Sequence, residues 1–185
     1  MRFVALGLLA FLSACSCEKE EPEFTLPEAR RVLIDRILIS YRGNPLGIKA
    51  RRSYEDARAV AERVYKRAMD GEDFVQLRQS FSDDRAANGG GANGPYILLN
   101  DGLKPAPTLP HVPRMLRKAM GKRLGDIALR MDKGDIALIR CDPEDYPAGW
   151  EVIRCAMRDD RTEEEVERDL GKTNVPPKDD ATGKD

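Results

Sequence analysis

Histidine is almost absent from this 185-residue chain, which has only His111, and cysteine is scarce. Besides Cys15 and Cys17 near the start, only Cys141 and Cys155 remain, and nothing in the sequence has the spacing of a zinc site. The chain also lacks the G-x-S-x-G, H-E-x-x-H and P-loop motifs and any cysteine-histidine pairing. We therefore expect no metal and no cofactor.

A surplus of basic residues is also missing. Lysine and arginine number 31 against 32 acids, so the net charge is −1 at pH 7, and loss of Arg2 by the processing predicted below brings it to about −2. Binding to a polyanion draws on excess positive charge. We expect no nucleic acid partner.

The apolar stretch from Phe3 to Leu12 is too short to span a bilayer, which takes about 20 apolar residues. It follows one basic residue and has the length of the apolar part of a signal peptide. We predict that residues 1–14 are a targeting segment and that the remaining chain is exported.

The sequence Leu12-Ser13-Ala14-Cys15 resembles the lipobox of bacterial lipoproteins, whose cysteine is acylated and becomes the new N-terminus. The resemblance implies a lipid anchor on Cys15, with the domain facing the extracytoplasmic side. Ser16 resembles the residue found there in lipoproteins of the outer membrane, which would place the domain in the periplasm. The alternative, a secretory signal with an incidental cysteine, would still place the domain outside the cytoplasm.

The segments beyond the signal peptide differ in composition. Residues 15–27 are rich in Glu and Pro and predict a flexible tether, and residues 159–185 predict a charged, mostly disordered tail. In that tail, Thr162 and Glu165 fit a capping box for one short helix. Residues 28–158 are then one folded domain of ordinary size.

An almost continuous apolar run over residues 32–39 predicts a strand covered on both faces, although Asp35 and Arg36 interrupt it. Helices are predicted after Ser53, over residues 73–80 and over residues 112–131. A further strand is expected at residues 96–99, and a hairpin at residues 134–141 and 149–155. Together these elements predict a compact α+β domain.

Two patterns have competing interpretations. Gly89, Gly91 and Gly94 match G-x-G-x-x-G, but a dinucleotide site has its strand before and its helix after, and here that order is reversed. Cys141 and Cys155 could form a disulfide in an oxidising compartment, yet the hairpin places them at opposite ends. We therefore predict no nucleotide site and two free thiols.

Five segments, in order, resemble the parvulin-type peptidyl-prolyl isomerases. They are Ile37-Leu38-Ile39-Ser40-Tyr41-Arg42-Gly43, Met69-Asp70-Gly71-Glu72-Asp73-Phe74, Phe81-Ser82-Asp83-Asp84, Val112-Pro113-Arg114-Met115, and the pair Lys133-Gly134-Asp135-Ile136 and Gly149-Trp150-Glu151-Val152-Ile153. The resemblance covers residues 32–157 and implies a small four-stranded antiparallel sheet wrapped by about four helices. It also implies a shallow groove for proline-containing segments, in a chain that we expect to be a monomer.

The resemblance places the family's groove acid at Asp84. Its two histidines fall on Arg36 and Glu151, so we predict these three residues as the catalytic set. The family's glycine-rich motif falls on Asn93, and its proline pocket falls on His111 and Met115, which are the predicted substrate contacts.

Each of these residues also has a simpler interpretation. Asp84 could be an ordinary helix-end or turn residue, because aspartate favours local hydrogen bonds there. His111 lies between two prolines and has no acid spaced to orient it, as in an exposed loop. Met115 on an apolar helical face is more often a core residue, although methionine also suits surfaces that accept varied peptides.

Three functions follow from the resemblance. The first is a foldase that accelerates X-Pro rotation in exported proteins. The second is a non-catalytic peptide-binding or chaperone lipoprotein, which the missing histidines favour. The third is a scaffold that serves an assembly partner.

The two charges at the histidine positions predict a specific contact. In the family the two imidazoles face each other from neighbouring strands, so the resemblance places Arg36 opposite Glu151. A charge inside a sheet needs a partner, since loss of hydration costs several kcal/mol per ion. We therefore predict a guanidinium-carboxylate bridge between Arg36 and Glu151, with Asp84 as the second acceptor.

Overall fold

The computed structural model describes residues 24–85, 93–103, 112–142, 144–145, 147–162, 164–165 and 168. Among them are five strands and three α-helices. In chain order they are β1 (Arg31–Ile39), α1 (Tyr54–Met69), α2 (Phe74–Phe81), β2 (Tyr96–Leu99), β3 (Arg114–Leu116), a 3₁₀ turn (Arg117–Ala119), α3 (Lys122–Ala128), β4 (Ile136–Ile139) and β5 (Trp150–Asp159). None of the helices in these ranges is long and apolar enough to cross a membrane.

The five strands form one sheet in the order β3-β2-β1-β5-β4. Its neighbouring strands are antiparallel except β2 and β3, which are parallel. The predicted α+β class is confirmed. The predicted number of elements is wrong in detail: the described residues form five strands rather than four, because β3 adds a parallel edge, and three α-helices rather than about four. β1 is the central strand, and elements on both faces cover it, which explains its nearly continuous apolar run.

Helix α1 begins and ends where its sequence predicts. The Ser53 hydroxyl accepts a hydrogen bond from the amide of Asp56 at 3.0 Å. After the helix, Gly71 adopts a φ of 90°, which favours glycine. Residues at helical spacing are buried against the sheet, namely Ala57, Ala61, Val64 and Ala68.

Two hydrophobic clusters lie on opposite faces of the sheet. Alternate residues of a strand point to opposite faces, so Ile37 and Ile39 of β1 pack under α1 and α2. In the same way, Val32 and Ile34 pack under α3 and the residues around it. Phe74 and Leu77 of α2, which are one helical turn apart, are also buried. We call the two sides the α1–α2 face and the α3 face.

The predicted helix over residues 112–131 is wrong. The structure has β3, the 3₁₀ turn and the short helix α3 there instead. Pro113 disfavours helical backbone at the residue before it, and Gly121 adopts a φ of 75° between the turn and α3. Within this range Met120 is buried and Met115 is half-buried, whereas Leu116 and Ala119 are exposed.

The predicted hairpin is confirmed in β4 and β5, which pair from Ile136 opposite Arg154 to Ile139 opposite Glu151. Both cysteines near it are buried free thiols, as predicted. Cys141 belongs to the cluster on the α1–α2 face and Cys155 to the cluster on the α3 face. Burial raises the pKa of both thiols, that of Cys155 to about 11.

The carboxylate of Asp35 points to the α1–α2 face, where two arginines hold it. Arg154 of β5 donates to it at 2.6 Å, and Arg78 of α2 also forms an ion pair with it. The Arg154 guanidinium lies 4.8 Å from the centre of the Phe74 ring. One of the two charges that interrupt the apolar run of β1 is therefore paired beneath the helices.

Candidate functional site

The guanidinium of Arg36 holds two carboxylates on the α3 face. Its Nη1 donates to Oε1 of Glu151 at 2.9 Å, and its Nη2 donates to Oδ2 of Asp84. The predicted bridge and its second acceptor are therefore both present. We call Arg36, Asp84 and Glu151 the ion triad.

The register of β1 and β5 differs in one respect from the expected arrangement. Arg36 is aligned with Ile153, and Glu151 is aligned with Leu38, two residues along β1. Arg36 and Glu151 are therefore diagonal neighbours on one face rather than directly opposite. A long arginine side chain spans this diagonal, which in antiparallel sheets is about 7–8 Å between Cα atoms.

The members of the ion triad differ in burial. The Glu151 side chain is fully buried, whereas those of Arg36 and Asp84 are 17% and 18% exposed. The Arg36 guanidinium also lies 5.5 Å from the centre of the Tyr96 ring, in cation-π geometry. The triad thus places a buried acid beneath a partly exposed arginine and a partly exposed acid, with a formal charge of −1.

Asn93 contacts Asp84 twice. Its side-chain amide donates to Oδ1 of Asp84 at 2.6 Å, and its backbone amide donates to the Asp84 carbonyl at 3.0 Å. Arg36 therefore engages one carboxylate oxygen of Asp84, and Asn93 engages the other. Asn93 was predicted as a substrate contact; its contacts in the structure orient the acid, and its role toward substrate stays a prediction.

The other predicted site residues lie farther away or outside the described ranges. Met115 on β3 is aligned with Leu98 of β2 and packs, half-buried, against the cluster on the α3 face. β2 separates it from β1, so it lies about 10 Å from the central strand. His111 and the predicted lipidation residue Cys15 lie outside the described residues.

The sequence did not point to several residues that shape this site. Tyr96 was predicted only as part of a strand, although its ring contacts Arg36. Ser82 and Asp83 were predicted only as part of the segment that ends at Asp84, and nothing in the sequence indicated a role for Arg52. The signal available for Ser82 and Asp83 was their position directly before the predicted acid.

Chemically, the site is a charged sheet face in which the described groups include no imidazole. The described residues contain no cluster of side chains able to hold a metal ion. What they provide is a fixed electrostatic field from one cation and two anions beside apolar strand residues. Such a preorganised field can favour one charge distribution in a bound chain over another.

Comparison with known families supplies the identity of the domain. The family model described as a PPIC-type PPIase domain matches residues 25–143, well over half of the chain. The chain belongs to this family. The matched range of the PPIC-type domain includes Arg36, Asp84, Asn93 and Met115, whereas Glu151 lies beyond it. Among curated proteins, no relative matches the chain.

Membership in the family confirms the predicted parvulin-type resemblance. A PPIC-type PPIase domain indicates peptidyl-prolyl isomerase activity and the binding of proline-containing peptides. The predictions of a signal peptide, lipidation and monomeric state are not addressed by this match.

Proposed function

We propose that the protein is a lipid-anchored, monomeric peptidyl-prolyl isomerase that accelerates the folding of exported proteins from the periplasmic side of the outer membrane. Uncatalysed X-Pro rotation takes tens to hundreds of seconds and can limit folding. The observation that carries the proposal is the Asp84 carboxylate, fixed beside Arg36 on the α3 face of a PPIC-type domain.

The mechanism follows from the amide resonance that an X-Pro bond loses when it twists. In the planar amide, resonance places negative charge on the carbonyl oxygen, and this charge decreases as the bond rotates. A carboxylate fixed near that oxygen disfavours the planar state more than the twisted one. Asp84 would supply this field, and Met115 would pack on the proline ring.

The roles of Arg36 and Glu151 in this mechanism are electrostatic. Arg36 holds Asp84 in place, while the buried Glu151 balances part of the Arg36 charge, so the field at the surface stays negative near Asp84. No atom of the substrate changes bonding partners during rotation. Positioning and charge are therefore all that the groove has to provide.

An NMR exchange measurement on a short X-Pro peptide tests the activity, using the full chain with Cys15→Ala to prevent lipidation. We expect faster cis-trans exchange with this protein and at least tenfold less enhancement after Asp84→Ala. The matched control is Asp70→Ala, since Asp70 is an exposed acid that pairs only on the surface with Lys66. Absence of enhancement in the starting protein would contradict the proposal.

A non-catalytic peptide-binding or chaperone role is the second candidate. It is favoured by the replacement of both family histidines and by the mutual pairing of the charges that replace them. Under this alternative, peptide resonances broaden on addition of the protein while the cis-trans exchange rate does not change. The same experiment therefore separates the two functions.

Lipid anchoring has a separate test. Cells that express the protein should incorporate labelled palmitate into it, and Cys15→Ala should abolish the label. Cys17→Ala is the matched control and should leave the label unchanged. Continued labelling of the Cys15→Ala variant would contradict the anchor.

A further inference from the structure

We propose that Arg52 and Asp83 are positioning residues that hold Asp84 at the ion triad. The inference rests on the proposed isomerase function and adds two residues to it. They would act through the segment that carries Asp84.

The first observation is an interrupted edge of the central strand. β2 pairs with β1 only along Arg31–Ile34. Beyond Ile34, a different segment of the chain binds the same edge of β1. At Leu38, the backbone amide donates to the Ser82 hydroxyl at 3.2 Å, and the carbonyl accepts from the Asp83 amide at 2.8 Å. The segment after α2 therefore takes the place of a neighbouring strand.

The second observation is the pairing of Arg52 with Asp83 at the next position of that edge. The amide of Ser40 donates to Oδ2 of Asp83 at 2.7 Å, and its carbonyl accepts from Nη1 of Arg52 at 3.3 Å. Arg52 and Asp83 also form an ion pair with each other. The backbone amide and carbonyl of the fully buried Ser40 are thus both hydrogen-bonded, by the side chains of Asp83 and Arg52.

These contacts fix where Asp84 lies. The backbone amide of Asp83 binds the Leu38 carbonyl on β1, and its carboxylate binds the Ser40 amide directly after β1. Asp84 is the next residue. The Asp84 carboxylate then meets Arg36, two residues before Leu38 on the same face of β1. Releasing Asp83 from Ser40 would let Asp84 move away from Arg36, and small displacements of a catalytic group lower rates strongly.

A loss of positioning differs from a loss of stability in what it changes. The Arg52 and Asp83 side chains are 27% and 15% exposed, and each also binds a backbone group of the buried Ser40. Removing either side chain should therefore lower the free energy of unfolding as well. A fall in kcat that persists where the variant is fully folded, well below its unfolding temperature, is the signature of positioning.

A double-mutant cycle tests the proposal in the full chain carrying Cys15→Ala. We expect Arg52→Met to lower kcat for X-Pro exchange about tenfold with little change in KM, and Arg52→Lys to restore part of it. In the Asp84→Ala background, Arg52→Met should have no further effect, because Asp84 is the group through which it acts. Arg51→Met, at an exposed neighbouring arginine, is the matched control and should leave kcat unchanged. Equal losses in both backgrounds would overturn the proposal.

A second readout does not depend on activity. The side-chain Nε-H resonance of Arg36 should shift in Arg52→Met toward its position in Asp84→Ala, and Asp83→Asn should shift it in the same direction. An unchanged Arg36 resonance in both variants would overturn the positioning role. A shifted resonance in a protein that does not accelerate exchange would instead contradict the proposed isomerase function alone.

Discussion

Asp35 and Arg36 place opposite charges on the two faces of the central strand, and two counterions hold each of them. Arg78 and Arg154 hold Asp35 on the α1–α2 face, while the rest of the ion triad holds Arg36 on the α3 face. A charge pair buried in this way contributes little net stability, but removal of one partner leaves an uncompensated ion. The two residues are therefore costly to change one at a time.

The ion triad gives a prediction for stability. We expect Arg36→Met to lower the free energy of unfolding by about 3 kcal/mol, because the fully buried Glu151 loses this counterion. The double variant Arg36→Met, Glu151→Leu should recover most of that loss, since no fully buried carboxylate remains at the ion triad. Urea denaturation of wild type, the two single variants and the double variant measures both effects.

An exposed pair provides the control for this series. Arg58 and Glu62 form an ion pair one turn apart on the surface of α1, so Arg58→Ala should change the unfolding free energy by less than about 1 kcal/mol. A double variant that loses as much stability as the sum of its single variants would contradict the account of the triad.

The contacts of single residues were only partly predictable from the sequence. The partners of Arg36 followed from the resemblance to the parvulin family, which implies that one strand position lies beside another 115 residues away. Those of Asp35 did not. The position of Arg78, four residues after Phe74, places it on the buried face of α2, but nothing local indicates which carboxylate it pairs with there.

At the scale of elements, local patterns predicted α1, α2, β2 and the hairpin well, because each has its own periodicity and end signals. β3 was missed because its three residues pair with a strand from which they are separated in sequence. Its apolar side chains also fit a helical spacing over a short window. Parallel pairing at a sheet edge leaves little trace in so short a segment.

Gly149 gives a prediction for the start of β5. It has a φ of 146°, and a Cβ there would overlap the carbonyl oxygen of Ile39 and lie 2.8 Å from Cα of Ser40. Gly149→Ala should thus displace β5 from β1 and lower the free energy of unfolding by several kcal/mol. Gly47→Ala is the control, since Gly47 has a φ of 69° but open space around it, and should cost only about 1 kcal/mol. Equal thermal shifts for the two variants would contradict this account.

At the scale of the whole molecule, the N-terminal segment before β1 ties α3 and the end of β5 to the sheet. The amide of Ala29 donates to the Leu129 carbonyl at 2.6 Å, and Arg158 donates to the Pro27 carbonyl at 2.7 Å. Both oxygens of Glu28 accept from Arg117, at 2.7 and 3.0 Å. The chain therefore enters the domain through an ordered network at the end of β1 that lies away from Ser40.

This network predicts a pH dependence of stability. The hydrogen bonds from Arg117 lower the pKa of Glu28 below its usual value, so the folded protein favours the ionised acid. Its contribution is then fully present above the unfolded pKa of about 4.3 and is lost as pH falls through the lower folded pKa. The free energy of unfolding of wild type should exceed that of Glu28→Gln by about 1 kcal/mol at pH 6 and by much less at pH 3. Urea denaturation at both pH values measures the difference, and a difference that grows toward acid would contradict the assignment.

The central claim is that a PPIC-type domain catalyses prolyl rotation on an ion triad without an imidazole. His111→Met removes the one histidine of the chain but keeps an apolar side chain at this predicted substrate contact, and among ordinary side chains histidine is the one that titrates between pH 6 and 8. The most direct measurement is the X-Pro exchange rate at saturating peptide with this untagged variant across that range. We predict an enhancement close to that of wild type throughout this range, since no imidazole is among the described groups that meet at the ion triad. Loss of the enhancement in the histidine-free protein would contradict the account.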